Sequence, residues 1–452
     1  MEPTQQPHEP HPTDPQAVKA QPSIALTNTI PANMADAAGK TRLKSSKEKL
    51  PRNLRRLFGW IFFIALVPNI AYGFTGFMSA VQAQQIDPEG KVQALAVISA
   101  MAAFAAMLAQ PIVGVLSDRT RGRFGSRRPW ILFGGLLGAT ALITAGLAPS
   151  IAWLTVAVVF VQFGYNAMQG PLSAILPDRV PTRFRGRYST LAGLGGLMGS
   201  VLGSVVASLL TGNIALGYAC FAGVLLLIVV LFIVSVPEAD NRGVERPAFS
   251  LLAFLKAFWV NPVRYPDFFW GFTGRFLIFG ANALPSTYGL YILQDYIGLP
   301  LQQAIQLAPL VGLVTVPFIL ISTVIAGPLS DRIGRRKPIV LVAGLIIAAS
   351  AVIPLIFPTV PGLLAAGALI GIGFGAFISV DQALMSQILP DKEKYGTDLG
   401  VLNIAATLPQ VLGPAAAGAI IIIFGTYGAL YAAVAIIGLI GALAVIPIKG
   451  VR

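Results

Sequence analysis

Gly114-Val115-Leu116-Ser117-Asp118-Arg119 is written a second time, almost unchanged, as Gly327-Pro328-Leu329-Ser330-Asp331-Arg332. The offset between the two aspartates is 331 − 118 = 213 residues. A second phrase repeats in the same register: Ile175-Leu176-Pro177-Asp178 returns as Ile388-Leu389-Pro390-Asp391, and 391 − 178 = 213. Two separate matches at one offset mean that one half of the chain copies the other. Each Ser-Asp-Arg phrase closes an apolar run and opens a cluster of basic residues. That is the layout of a duplicated membrane protein whose halves rock around a central site.

Composition sets the solvent. The 452 residues are 55% hydrophobic and only 11% charged, where a soluble domain carries roughly 25% charge. The mean hydropathy is +0.74. A water-soluble fold cannot hide this much apolar surface, so the bilayer must surround it. The single cysteine, Cys220, excludes an intrachain disulfide framework. The two histidines, His8 and His11, both fall in the polar N-terminal tail. No metal site and no cofactor is expected.

The net charge of +13 invites a nucleic-acid partner, but its distribution argues against one. Apolar runs fall at roughly 57–83, 92–116, 129–148, 151–176, 188–211, 214–235, 268–293, 302–326, 338–357, 361–388, 398–423 and 426–447. With the N-terminus in the cytoplasm, Lys91 is the only one of the 32 Lys and Arg in an external loop, and Arg275 the only one inside a span. That asymmetry predicts both termini on the inner side of a plasma (inner) membrane. The charge then serves orientation and contact with an anionic lipid leaflet.

The expected fold is all-α and integral to the membrane, with twelve transmembrane helices in two six-helix halves. The expected division is 1–50, a disordered cytoplasmic tail; 51–236, the first half; 237–267, a cytoplasmic linker; and 268–452, the second half. Within the tail, Ala38-Gly39-Lys40-Thr41 superficially matches the end of a phosphate loop, but Met34 stands where its first glycine is needed. In the linker, the amphipathic stretch 249–260 suits either the inner membrane face or a soluble helix. Glycines recur every four residues at Gly195, Gly199 and Gly203, and again at Gly367, Gly371 and Gly375. Such stripes serve static close packing or a sliding interface. Pro171, Pro285, Pro317, Pro409 and Pro414 interrupt backbone bonding within spans.

The basic loops suggest a gate. Asp118, Arg119, Arg127 and Arg128 follow the second span, and Asp331, Arg332, Arg335 and Arg336 follow the eighth. An aspartate at a helix end that pairs with an arginine of the next loop would hold one face closed. The alternative is charge for orientation alone.

The paired Gly-x-x-Ser-Asp-Arg loops, the duplication and the twelve spans resemble the major facilitator superfamily over residues 55–447. Ser117-Asp118-Arg119 followed by Arg123-Phe124-Gly125-Ser126-Arg127-Arg128-Pro129-Trp130 is similar to the loop of the glycoside–pentoside–hexuronide and sucrose-transporter group. That group carries Arg-x-Gly-Arg-Arg-Arg-Pro-aromatic, and Ser126 here replaces the first arginine of its triplet. The resemblance implies an alternating-access transporter, active as a monomer, coupling a proton or sodium ion to uptake of a sugar or glycoside. Sodium-coupled members use carboxylates in their second and fourth helices. The matching spans here contain none, so if a cation is coupled, a proton at Asp381 is the route to expect, with facilitated diffusion as the alternative.

Two ionisable residues lie deep within spans, Arg275 and Asp381. Intramembrane charge is costly and usually functional. Arg275 lies eight residues beyond Asp267, or about 12 Å into the span at 1.5 Å per residue. Asp381 lies ten residues before Asp391, or about 15 Å deep. Equal depth lets them pair. The pair is then either a coupling site, with Asp381 taking the proton, or a permanent structural ion pair.

Neutral polar residues at mid-depth form a third group: Gln82, Gln110, Asn166, Gln169, Asn282, Tyr288, Gln382 and Asn403. Amides and phenols donate and accept without net charge, which suits a polyhydroxylated ligand. Helix–helix hydrogen bonding is the competing use of any one of them. The leading reading is proton-coupled uptake of a sugar or similar neutral solute. The alternative is proton-coupled efflux of drugs or metabolites. An enzyme is excluded by the lack of any catalytic motif or carboxylate pair.

Overall fold

The computed structural model describes residues 51–238, 264–385, 387–388 and 395–449. The expected disordered tail, the amphipathic stretch 249–260 and Asp391 lie outside these residues. The described chain is helical throughout. The first half comprises α1 (Arg52–Ile86), α2 (Lys91–Arg119), α3 (Arg128–Gly146), α4 (Ile151–Arg179), α5 (Thr182–Leu209) and α6 (Ile214–Ser235). The second comprises α7 (Pro266–Ala283), α8 (Leu301–Ile333), α9 (Lys337–Ile356), α10 (Val360–Met385), α11 (Tyr395–Phe424) and α12 (Tyr427–Leu443). Eleven of these spans, counting α7 through Tyr296, are long and apolar enough to cross a membrane. The twelfth, α12, has 17 residues, or about 26 Å of helix.

The helix ends are specified locally. At the end of the bundle away from the arginine clusters, Ser150, Asn213 and Thr426 cap α4, α6 and α12 by accepting a backbone N–H from Trp153, Leu216 and Gly428. At the arginine-rich end, α3, α7 and α9 instead start with a proline in the first turn, where its missing N–H costs nothing.

The most extensive helix contacts are α1 with α5 and α8 with α10. The two glycine stripes make them. A Cβ on Gly199 would stand 2.7 Å from the Leu66 carbonyl oxygen, and one on Gly195 would stand 2.6 Å from that of Phe62. A Cβ on Gly371 would stand 2.6 Å from the Thr315 carbonyl oxygen. Lipid supplies no hydrophobic drive between helices, so this close van der Waals contact holds the pairs. Both seams lie inside a half, which favours the static reading of the stripes. The halves meet instead along α2 with α11 and α5 with α8.

The run expected to span 268–293 without interruption is broken at its proline. The α-helix stops at Ala283, Pro285 follows, and Ser286–Tyr288 continue as a 3-10 turn. A single α turn at Gly289–Tyr291 leads into a π-helical turn at Ile292–Tyr296. Pro285 has no N–H to continue the ladder, so the register shifts beyond it.

Candidate functional site

At the arginine-rich end the two repeated phrases converge. Arg127 is the residue before α3. Its guanidinium reaches Asp118 at the end of α2 at 2.5 Å and Asp178 at the end of α4 at 2.8 Å. It also donates to the Ser117 hydroxyl at 3.1 Å. Ser117 in turn donates to the Ser126 carbonyl at 3.2 Å. Every part of Ser117-Asp118 and of Pro177-Asp178 that bears charge is therefore organised by one arginine. Burial alone would lower the pKa of Arg127, but the hydrogen bonds and charges of Asp178 and Asp118 more than offset that and move it upward.

Glu238 joins this cluster from beyond α6. Its carboxylate accepts from the backbone N–H of Arg127 at 3.0 Å and of Arg128 at 3.2 Å, and from the Ser126 hydroxyl at 3.4 Å. A carboxylate at a helix N-terminus satisfies orphan donors and favours the dipole. Gly125 makes room for it: its φ is +80°, and the Glu238 carboxyl fills the space where a Cβ would stand. Arg128 also donates to the Ile233 carbonyl, and Arg179 to the Pro237 carbonyl at 3.1 Å. Sequence reading missed Glu238. The available signal was its position, the first carboxylate after the sixth apolar run at the arginine-rich end.

The second copy repeats the backbone, and among the described residues its contacts differ; Asp391, the counterpart of Asp178, lies outside them. Arg127 has φ −94° and ψ −41°; Arg336, before α9, has φ −93° and ψ −36°. Arg336 donates to the Ala383 carbonyl of α10, and Lys337 to the Ile448 carbonyl. Asp331, Arg332 and Arg335 are exposed, and among the described residues Asp331 forms no ion pair. Arg119, at the end of α2, is exposed as well.

Arg275 on α7 and Asp381 on α10 meet at 2.6 Å, with side chains only 8% and 3% exposed. Among the described residues this is the one ion pair away from both ends of the bundle. The Arg275 guanidinium also lies 5.5 Å from the centre of the Phe279 ring, which packs edge-on against Phe374 and Phe377. Arg275 Nε and Asp381 Oδ1 have no further partner. Each ion therefore depends on the other for its compensation. Removing one partner of such a pair costs roughly 3–5 kcal/mol, because the other stays buried and charged.

The neutral polar group is dispersed. Gln82 is buried and donates across to the Ala145 carbonyl at the end of α3 at 2.9 Å. Asn166 donates to its own helix at Gln162, 2.8 Å away. Tyr288 is buried and donates to the Pro414 carbonyl at 3.2 Å. Gln169 and Asn282 are half-buried and Gln382 is exposed; among the described residues the Gln169 side-chain amide oxygen is buried without a partner. The side chains of Gln110 and Asn403 lie outside the described residues.

Comparison with known proteins agrees with this architecture. The model of the Major Facilitator Superfamily matches residues 11–191, 54–326 and 313–450. The human Proton-associated sugar transporter A is 29% identical over 257 residues, which is 51% of this chain and 33% of that protein. The Inner membrane symporter YicJ of Escherichia coli (strain K12) is 26% identical over 193 residues, 39% of this chain and 40% of that one. The matched region thus spans well under half of either relative. Among solved structures, peptide transporter POT in complex with sulfate superposes with a TM-score of 0.69 at 15% identity, over 87% of this chain and 94% of that one. At that identity the likeness speaks for the fold alone. Twelve helices in duplicated halves, the paired basic loops and the family match together identify the chain as a member of the Major Facilitator Superfamily.

Proposed function

We propose that this protein is a proton-coupled transporter that takes up a sugar or a similar neutral, polyhydroxylated solute by alternating access. The observation that carries the reading is the buried Arg275–Asp381 pair at 2.6 Å. A carboxylate held this deep is a natural proton acceptor, and among the described residues its charged partner is Arg275. Protonation of Asp381 neutralises it and frees Arg275, so the proton changes what the second half can bind or how it can move. The side-chain oxygen of Gln169, buried and without a partner among the described residues, is an uncharged group left for a neutral solute. The two partial relatives carry "proton-associated sugar transporter" and "symporter" in their names.

The Arg127 cluster serves the gate on its face by fixing the ends of α2, α3 and α4 to one another within the first half. In this reading the arginine-rich end is cytoplasmic, both termini are inside, the membrane is the plasma (inner) membrane, and the protein works as a monomer. The test is uptake into proteoliposomes of a panel of labelled mono- and disaccharides, with and without an inward proton gradient. Accumulation of one sugar that collapses with the gradient supports the proposal. Absence of uptake of every sugar by folded protein overturns the solute class, and accumulation indifferent to the gradient overturns the coupling.

A further inference from the structure

At the end of the bundle away from the arginine clusters, one ion pair among the described residues joins the two halves. Lys91, the first residue of α2, lies 2.7 Å from Asp295, which sits in the π-helical turn beyond α7. The Lys91 ammonium also stands 4.9 Å from the centre of the Tyr291 ring. Asp295 accepts a second hydrogen bond, from the Tyr427 hydroxyl at 2.8 Å, so α12 holds it from behind. Tyr291 crosses the boundary in the opposite direction and donates to the Ala80 carbonyl of α1 at 2.8 Å. Nearby, a Cβ added to Gly418 of α11 would come 2.6 Å from the Ala96 Cβ of α2, so the halves touch there. By contrast, the partners named above for Arg127 all come from residues 117–238.

We propose that Lys91 and Asp295 form the latch that closes the outer face, with Tyr427 and Tyr291 holding its acidic and basic members in line. This goes with the alternating-access reading above but requires no particular solute. Each half contributes one charge, so the pair cannot survive separation of the outer helix ends. It therefore adds its interaction energy to the closed-outside state alone, which is how a contact biases a two-state equilibrium. The location of Asp295 follows from the break at Pro285. Beyond it the chain turns through 3-10, α and π geometry in succession, and the π turn carries Asp295. The side chains are 14% and 35% exposed, so water screens the pair only in part.

The experiment reads the conformational equilibrium directly, with no solute present. Cys220 is replaced by Ser, and spin labels are attached to Gly212→Cys and Pro358→Cys, on outer turns of the first and second halves. Distances between the labels are measured in the full chain in lipid nanodiscs. Lys91→Ala and Asp295→Asn are expected to raise the ratio of long to short distances roughly two- to fivefold, the range of a partly exposed ion pair. The charge exchange Lys91→Glu with Asp295→Lys is expected to restore most of the short population. Tyr427→Phe, which removes one hydroxyl, should move the ratio in the same direction by less and serves if a charge variant fails to fold. An unchanged distribution in all three overturns the latch. So does opening by the single variants that the charge exchange leaves unrepaired. Failure of sugar uptake bears on neither result, so the two proposals stand or fall separately.

Discussion

Arg127 grips a single oxygen of Asp178 twice, through Nε at 3.1 Å and Nη2 at 2.8 Å. Only a guanidinium presents two donors in one plane at that spacing, and the same group still has Nη1 free to reach Asp118 and Ser117. The two repeated phrases of the sequence are thus two walls of one arginine site.

A lysine cannot reproduce that geometry. Arg127→Lys is expected to slow solute exchange about tenfold, for a loss near 1.4 kcal/mol, with little change in solute affinity. Asp118→Asn should act in the same direction and slow cycling more than binding. Exchange rates and equilibrium binding on the same preparation test both. Wild-type turnover in either variant removes the cluster from gating.

Gly125→Ala and Glu238→Ala attack one contact from two sides. Alanine at φ +80° is strained by roughly 1–2 kcal/mol, and its methyl group would occupy the space of the Glu238 carboxyl. Hydrogen exchange of the Arg127 and Arg128 amides should accelerate in each variant. The double variant should be no faster than the more affected single. Additive acceleration would mean that the glycine and the carboxylate act independently.

Asp381→Asn is expected to abolish gradient-driven accumulation while solute exchange persists. Arg275→Gln leaves the carboxylate alone in the span and should lower stability by about 3–5 kcal/mol unless Asp381 takes up a proton. Arg275→Gln with Asp381→Asn should be more stable than Arg275→Gln by thermal unfolding, yet still fail to accumulate solute. Accumulation by Asp381→Asn equal to wild type would falsify the coupling role.

The glycine seams should not slide. Labels placed on α1 and α5 are expected to keep one distance under conditions that shift the halves, and likewise labels on α8 and α10. Gly199→Val should cost about 1–3 kcal/mol by overpacking against α1. A distance between α1 and α5 that changes with state would restore the moving-interface reading.

Much of this was legible from residues alone. The 213-residue register gave the halves, the apolar periodicity gave the helices, and equal depth brought Arg275 to Asp381. What could not be read was set by three-dimensional convergence. Asp178 was visible as a repeat marker, but nothing in its spacing pointed to Arg127, 51 residues earlier. Lys91 stood out as the lone basic residue on its face. Its partner, Asp295, is 204 residues away, on a turn created by a proline that broke an apparently continuous span. The neutral amides were the least predictable, because a buried amide can serve its neighbours as well as a ligand. Gln82 does so, bonding the end of α3.

The seam between α1 and α5 has a consequence for biosynthesis. The ribosome completes α1 at Ile86, but its closest partner ends only at Leu209, so more than 120 residues must follow before the seam can close. Until then the face of α1 that runs through Phe62, Leu66 and Ile70, and that meets Gly195, Gly199 and Gly203 in the finished protein, has no native partner. A nascent chain stalled before Leu209 is therefore expected to present α1 with its closest packing surface uncovered, the kind of segment that membrane insertases retain and quality-control proteases degrade. Folding of the first half then depends on how long the nascent α1 can be sheltered.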